Sequence, residues 1–160
     1  MVYFVDFAGV LASLSIFQLA LKSSEEIHSQ NKYLTWYPGD QYVDILGVDN
    51  YGDLKSGGDV QAAIRKLHIV VNTAKQKDKL SAFTETGLEN VTDEKWFTEK
   101  LGKVLSDPLI KKEISYVMVW RNDERVHYFF PYPGQKGAAD AAEFLDNENI
   151  LLLEDFKALQ

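Results

Sequence analysis

Five side chains in this sequence of 160 residues share a chemistry that none of them has alone. Glu85 is a carboxylate at the end of the apolar run 80–84, directly before Thr86-Gly87. Taken singly, such a residue most often caps a turn or the next helix, and Tyr51 reads as a rim aromatic and Trp120 as ordinary core. Asp49 and Tyr51, however, close a second apolar run, and Trp120 and Arg121 close a third. A carboxylate flanked by a phenol, a guanidinium and an indole at one rim is suited to holding and cleaving sugars. Indole faces stack on pyranose rings, charged groups bond their hydroxyls, and a fixed carboxylate can attack an anomeric carbon.

These groups can meet only if the segments carrying them lie side by side. Three compact apolar runs predict strands at residues 42–48, 80–84 and 114–120, the last reading Ile-Ser-Tyr-Val-Met-Val-Trp. Ser23 and Glu26 form a capping-box pattern opening a short helix that closes before Tyr37-Pro38-Gly39-Asp40. Val60, Ile64, Leu67, Val71 and Ala74 recur at spacings of four and three, which predicts an amphipathic helix. Phe97, Leu101 and Val104 mark another, ended by Asp107-Pro108, and helical patterns return around 138–145 and 153–159. Strand and helix alternate three times with no hairpin signal, so the fold class is α/β with a parallel sheet and right-handed crossovers. Alternation alone does not separate an open sheet from a section of barrel. Polar or aromatic residues at all three strand ends favour the barrel, where catalytic groups sit at those ends.

Residues 36–51, reading WYPGDQYVDILGVDNY, resemble the sixth strand of glycoside hydrolase family 26 together with its leading loop. Phe83-Thr84-Glu85-Thr86-Gly87 is similar to the family's seventh-strand segment. Residues 114–122 resemble the eighth strand, and the run from His127 to Gly134 resembles the loop after it. The resemblance covers residues 23–160 in the family's order and implies the C-terminal part, about strands 5/6 to 8, of a (β/α)8 TIM barrel. It implies Glu85 as the nucleophile of a retaining endo-acting hydrolase, with Tyr51 orienting it. Trp120 would be the platform near the cleaved bond, and Asp49 and Arg121 would bond sugar hydroxyls or steer neighbours. Asp44 is a weaker candidate with a structural use, and Trp96 reads as packing ahead of sugar contact. The implied partner is β-mannan or a related β-1,4-linked polysaccharide, mannan being the majority expectation in a family that also cleaves mixed-linkage glucan and xylan.

This sequence departs from the family in one decisive respect. The general acid/base is there a glutamate following a histidine at the end of the fourth strand, and no such His-Glu pair occurs in these 160 residues. Residues 1–22 stand where the fourth helix and fifth strand belong, yet match neither. Their apolar run from Gly9 to Leu21 only partly resembles an export signal, because Asp6 stands where a basic region belongs. A buried helix-plus-strand segment, or a start codon inside a longer gene, accounts for it better.

Composition narrows the remaining choices. A net charge of -7 with dispersed Lys and Arg excludes a basic groove for nucleic acid and a polybasic membrane patch. The absence of cysteine excludes disulfides and thiolate zinc sites, and His28, His68 and His127 are too scattered for a metal. No cofactor is implied, since two carboxylates suffice for retaining hydrolysis. Strand edges left open in half a barrel predict self-association. A polymer too large to enter a cell places the protein outside the cytoplasm, secreted, periplasmic or on the cell surface.

Overall fold

The computed structural model describes residues 2–4, 27–123, 127–152 and 155. Strands β1 (Val2–Phe4), β2 (Ile45–Asp49), β3 (Leu80–Thr86), β4 (Ile114–Val119) and β5 (Ile150–Leu151) form one sheet in the order β2-β3-β4-β1-β5. Every pairing is parallel. The three strands anticipated in the sequence are therefore adjacent and aligned, and their C-terminal ends share one rim. Their bounds differ a little from expectation. The second strand begins only at Ile45, because Asp40–Tyr42 form a 3-10 turn, and the third runs on through Glu85 to Thr86.

Helix α1 (Gln30–Tyr33) opens at Ser29, whose side chain accepts from the Lys32 N–H. The capping box at Ser23 and Glu26 lies outside the described residues, as do all but residue 155 of the helical pattern at 153–159. Helix α2 (Val60–Gln76) is capped by Asp59 and buries Ala63, Ile64, Leu67, Val70, Val71 and Ala74. That face meets Leu46, Val48, Phe83 and Val117 of the sheet in one continuous core. Each such large side chain contributes about 1.5–3 kcal/mol on burial. The third expected helix starts as a π turn at Trp96–Leu101 and continues as α3 (Gly102–Leu105).

Asp107-Pro108 does end that helix, and it also begins another. Asp107 accepts from the N–H groups of Leu109 and Ile110, with Pro108 in the first turn of α4 (Pro108–Glu113). Helix α5 (Ala138–Leu145) follows the loop after β4. The short strand β5 had no anticipated counterpart. Strand β1 lies beside β4, on the far side of the sheet from β2. Residues 5–22, the rest of the segment that stands where a fourth helix and fifth strand belong, lie outside the described residues.

His68 Nε2 on α2 lies 2.8 Å from Asp107 Oδ1, tying α2 to α4. Burial pushes the Asp107 carboxyl up, but the bond from His68 and the helix amides outweigh it and hold it below 3.8. A carboxyl held low in the folded state stabilises the fold above its unfolded pKa, and that stabilisation is lost as pH falls through the folded value. The melting temperature should therefore drop as pH is lowered below about 4. Asp40, Asp59 and Glu113 are also held low, by Lys77, Arg65 and Lys75 respectively, so the slope should survive in part in Asp107→Asn, which keeps the cap but cannot ionise. Calorimetry of both proteins across pH 2–6 checks this, and identical slopes would remove Asp107 from the account.

Candidate active site

The rim at the ends of β2 and β3 brings the principal candidates together. Asp49 is the register partner of Glu85 across the two strands. The Tyr51 hydroxyl donates to Glu85 Oε2 at 3.1 Å, as the resemblance implied. Burial, the Glu85 carboxylate and the more distant Asp49 all push the Tyr51 phenol well above its ordinary pKa. Tyr51 therefore remains a hydrogen-bond donor throughout the working pH range. Asp49 is itself held, because Thr84 Oγ1 donates to its Oδ1 at 2.8 Å. That bond requires β2 and β3 to lie very close, and Gly47 permits it: a Cβ there would stand 2.3 Å from Thr84 Cγ2. The register shifts between Gly47 and Asp49, and again between Phe83 and Thr86. Irregularities of this kind turn side chains out of strict alternation at a rim.

The loop after β4 closes over the same corner. Asn122 Oδ1 accepts from the N–H groups of Phe129 and Phe130, at 2.9 and 3.0 Å, while its Nδ2 donates to the Phe130 carbonyl at 2.6 Å. Phe129, folded back by these bonds, meets the Tyr51 ring edge-on with centroids 5.9 Å apart. It also lies against Gly87, where φ is +147° and a Cβ would come within 2.4 Å of its ring. His127 and Glu89, 2.7 Å apart, join the loops that follow β3 and β4. Tyr51 is thereby held from two sides, by its own backbone and by Phe129.

The remaining candidates are placed less tightly. Trp120 stands half-buried just past β4, its backbone N–H donating to the Thr86 carbonyl at 2.9 Å, which puts the residue at the rim. Arg121 is exposed and reaches Asp123 at 3.7 Å. It sits at the mouth, facing solvent. Asp44 is exposed at the N-terminal end of β2, away from the rim, and its carbonyl accepts from the Leu80 N–H. Its use is structural. Trp96 is wholly buried and donates from Nε1 to the Leu54 carbonyl at 2.8 Å, which favours the packing reading.

Several contributors were not singled out from sequence. Asn50 is completely buried, Thr84 orients Asp49, and Phe129 backs Tyr51. Tyr116 is another: burial and the Asp49 charge raise its phenol pKa, which places it in the field of the same carboxylate. Tyr116, Met118 and Trp120 recur at every second residue, a period-two spacing that puts Tyr116 on the face of Trp120 and could have marked it.

A parallel sheet of strands with helices between them, bearing a phenol-bonded glutamate and a second carboxylate at its C-terminal rim, defines a section of a (β/α)8 barrel with its polar groups at the strand ends. The model of glycosyl hydrolase family 26 matches residues 16–124, and the chain belongs to that family. It is 31% identical to a mannan endo-1,4-β-mannosidase of Bifidobacterium adolescentis over 77% of this chain and 14% of that protein. Among solved structures it is similar to a family 26 β-mannanase from Bacteroides ovatus, with 38% identity and a TM-score of 0.70 over 86% of this chain and 38% of the other. The family 26 protein GH26C from Muricauda sp. gives 35% identity and a TM-score of 0.72, over 79% and 35% respectively. The chain thus spans less than two fifths of the length of these relatives.

Proposed function

We propose that this chain carries the nucleophile half of a retaining endo-β-1,4-mannanase, acting on mannan or galactomannan. The observation that carries the reading is the Tyr51 to Glu85 hydrogen bond at 3.1 Å, on a rim shared with Asp49 and Trp120. A donor phenol holds the carboxylate in one orientation, so Glu85 approaches the anomeric carbon without first losing rotamer freedom. Attack forms a glycosyl-enzyme ester, and the leaving oxygen departs with the electron pair of the broken bond. Trp120 would stack on the sugar whose bond is cleaved, while Asp49 would bond a hydroxyl. The similarity to β-mannanases supports mannan over the other β-glycans.

Departure of a sugar alkoxide needs a proton, and the expected donor is a glutamate following a histidine, a pair absent from these 160 residues. Its loss should cost about two to four orders of magnitude in rate. Reducing-end release from soluble galactomannan by this chain, verified as folded by circular dichroism, should accordingly be slower by that factor than with a family member carrying both carboxylates. A chain as fast as such an enzyme would show that a proton donor is supplied within these residues, and would overturn the division of labour. We place the protein outside the cytoplasm, where such polymers are met. The edge of β2, which pairs with no further strand among the described residues, would favour self-association through strand pairing.

A further inference from the structure

A lysine that the proposed chemistry leaves unused stands on the core-facing side of a helix. Lys66 lies between Ile64 and Leu67 on the buried side of α2, and its side chain is only 8% exposed. An ammonium group in such a place is costly unless it is paired and bonded. Its Nζ is 2.6 Å from Asp53 Oδ2, and the same oxygen accepts from Asn50 Nδ2 at 2.8 Å. Asn50 in turn accepts the Asp53 N–H through its Oδ1 at 3.2 Å. The Asn50 backbone is bound equally firmly, its N–H donating to the Glu85 carbonyl and its carbonyl accepting from Thr86 Oγ1, both at 2.9 Å. Tyr51 is the residue enclosed by this arrangement.

We infer that Lys66, acting through Asp53 and Asn50, is a positioning residue that holds the Tyr51 hydroxyl on Glu85. The four residues 50–53 form a turn whose two ends are joined by side chains, and α2 anchors that turn through one ammonium group. Removing the anchor leaves Asp53 as a mostly buried charge with only an amide to bond it. The turn then relaxes toward water, and the phenol is displaced from a bond already at 3.1 Å. Lys66 touches neither substrate nor nucleophile, and its effect passes entirely through Tyr51. This inference rests on Glu85 being the functional carboxylate, but its test needs no turnover.

The test is a carbon-13 NMR titration of the glutamate side-chain carboxyls in the folded chain, with the Glu85 signal assigned by its loss in Glu85→Gln. Glu85 is faced by Tyr51 from the β2 loop and by Asp49 on β2, so Tyr51→Phe sets the scale for losing the phenol bond. That loss should weaken the acidity of Glu85 by about tenfold, since a bond to the charged form lowers a carboxyl pKa by about that much. Lys66→Met should reproduce most of the shift, Lys66→Arg should restore the native value, and Lys66→Met added to Tyr51→Phe should produce no further change.

Should Lys66→Met fail to fold, the double variant Asp53→Asn with Lys66→Met removes both charges, keeps an amide in the turn and avoids a lone buried ion. It should show the same shift. A folded variant with the native Glu85 titration, or shifts that add to that of Tyr51→Phe, would overturn the inference and leave Lys66 as part of the scaffold alone. A failure to hydrolyse mannan would bear on the proposed function and leave this result standing.

Discussion

Glu85→Ala should abolish covalent capture of an activated mannoside, lowering its rate at least about ten-thousandfold. The useful reagent is an aryl β-mannoside whose leaving group is a strongly acidic phenol, with fluorine at C2. Such a phenolate departs without a proton, so the missing acid/base imposes little penalty, and the fluorine slows hydrolysis of the ester enough for it to accumulate. The wild-type chain should gain the mass of one fluorosugar residue on the peptide containing Glu85. Asp49 is the competing carboxylate, register-paired with Glu85 on the adjoining strand. Its oxygen is engaged by Thr84, whereas Glu85 is held by a phenol from a loop packed against Phe129. The adduct should consequently form on Glu85 and nowhere else. Labelling of Asp49, or labelling of Glu85→Ala at the native rate, would remove Glu85 from the role of nucleophile.

The parts of this site that were legible in sequence are those whose information is local. Compact apolar runs bounded by turn residues gave the strands β2, β3 and β4, and a helical period gave α2, because burial writes itself directly into the local pattern. Glu85, Tyr51 and Trp120 were visible because strand ends are where a barrel places its chemistry. What holds them was less visible. Asn50 is polar and lies in a turn, so nothing in its neighbourhood announces that it is completely buried. Lys66 violates the apolar face of its own helix, a conflict between pattern and position that is itself a signal of a tertiary partner. The partner, Asp53, is 13 residues away and identifiable only once the β2 loop is folded over α2. The place of Val2–Phe4 beside β4 was equally out of reach, since three residues carry too short a pattern to choose between two sheet edges. Asp107 shows a subtler limit, for one residue both closes a helix and caps the next, and sequence signals for stopping and starting overlap there.

Trp96→Ala should be the most destabilising single substitution among the residues that frame the site, costing about 3–5 kcal/mol. Among the described residues Trp96 is the largest completely buried side chain, and its ring meets Phe97 edge-on at 4.9 Å, which in turn meets Phe130 and Phe144 at 5.0 and 6.0 Å. Truncation would leave a cavity beside Phe97, the ring that joins the π turn to the loop after β4 and to α5. The loss is also directional. The indole N–H satisfies the Leu54 carbonyl, and the Leu54 N–H bonds the Tyr51 carbonyl, so the tryptophan supports the same turn that Asp53 and Lys66 hold from the other side. Trp96→Phe keeps most of the volume and loses that bond, which should cost about 1–3 kcal/mol because a buried carbonyl is left unsatisfied. Against a typical domain stability of about 5–15 kcal/mol, the alanine variant should unfold at a much lower urea concentration, with a slope little changed from wild type. The phenylalanine variant should remain folded but show a weakened Tyr51 to Glu85 coupling in the carboxyl titration. A titration unchanged in that variant would confine Trp96 to packing and leave the orientation of Tyr51 to Asn50, Asp53 and Phe129.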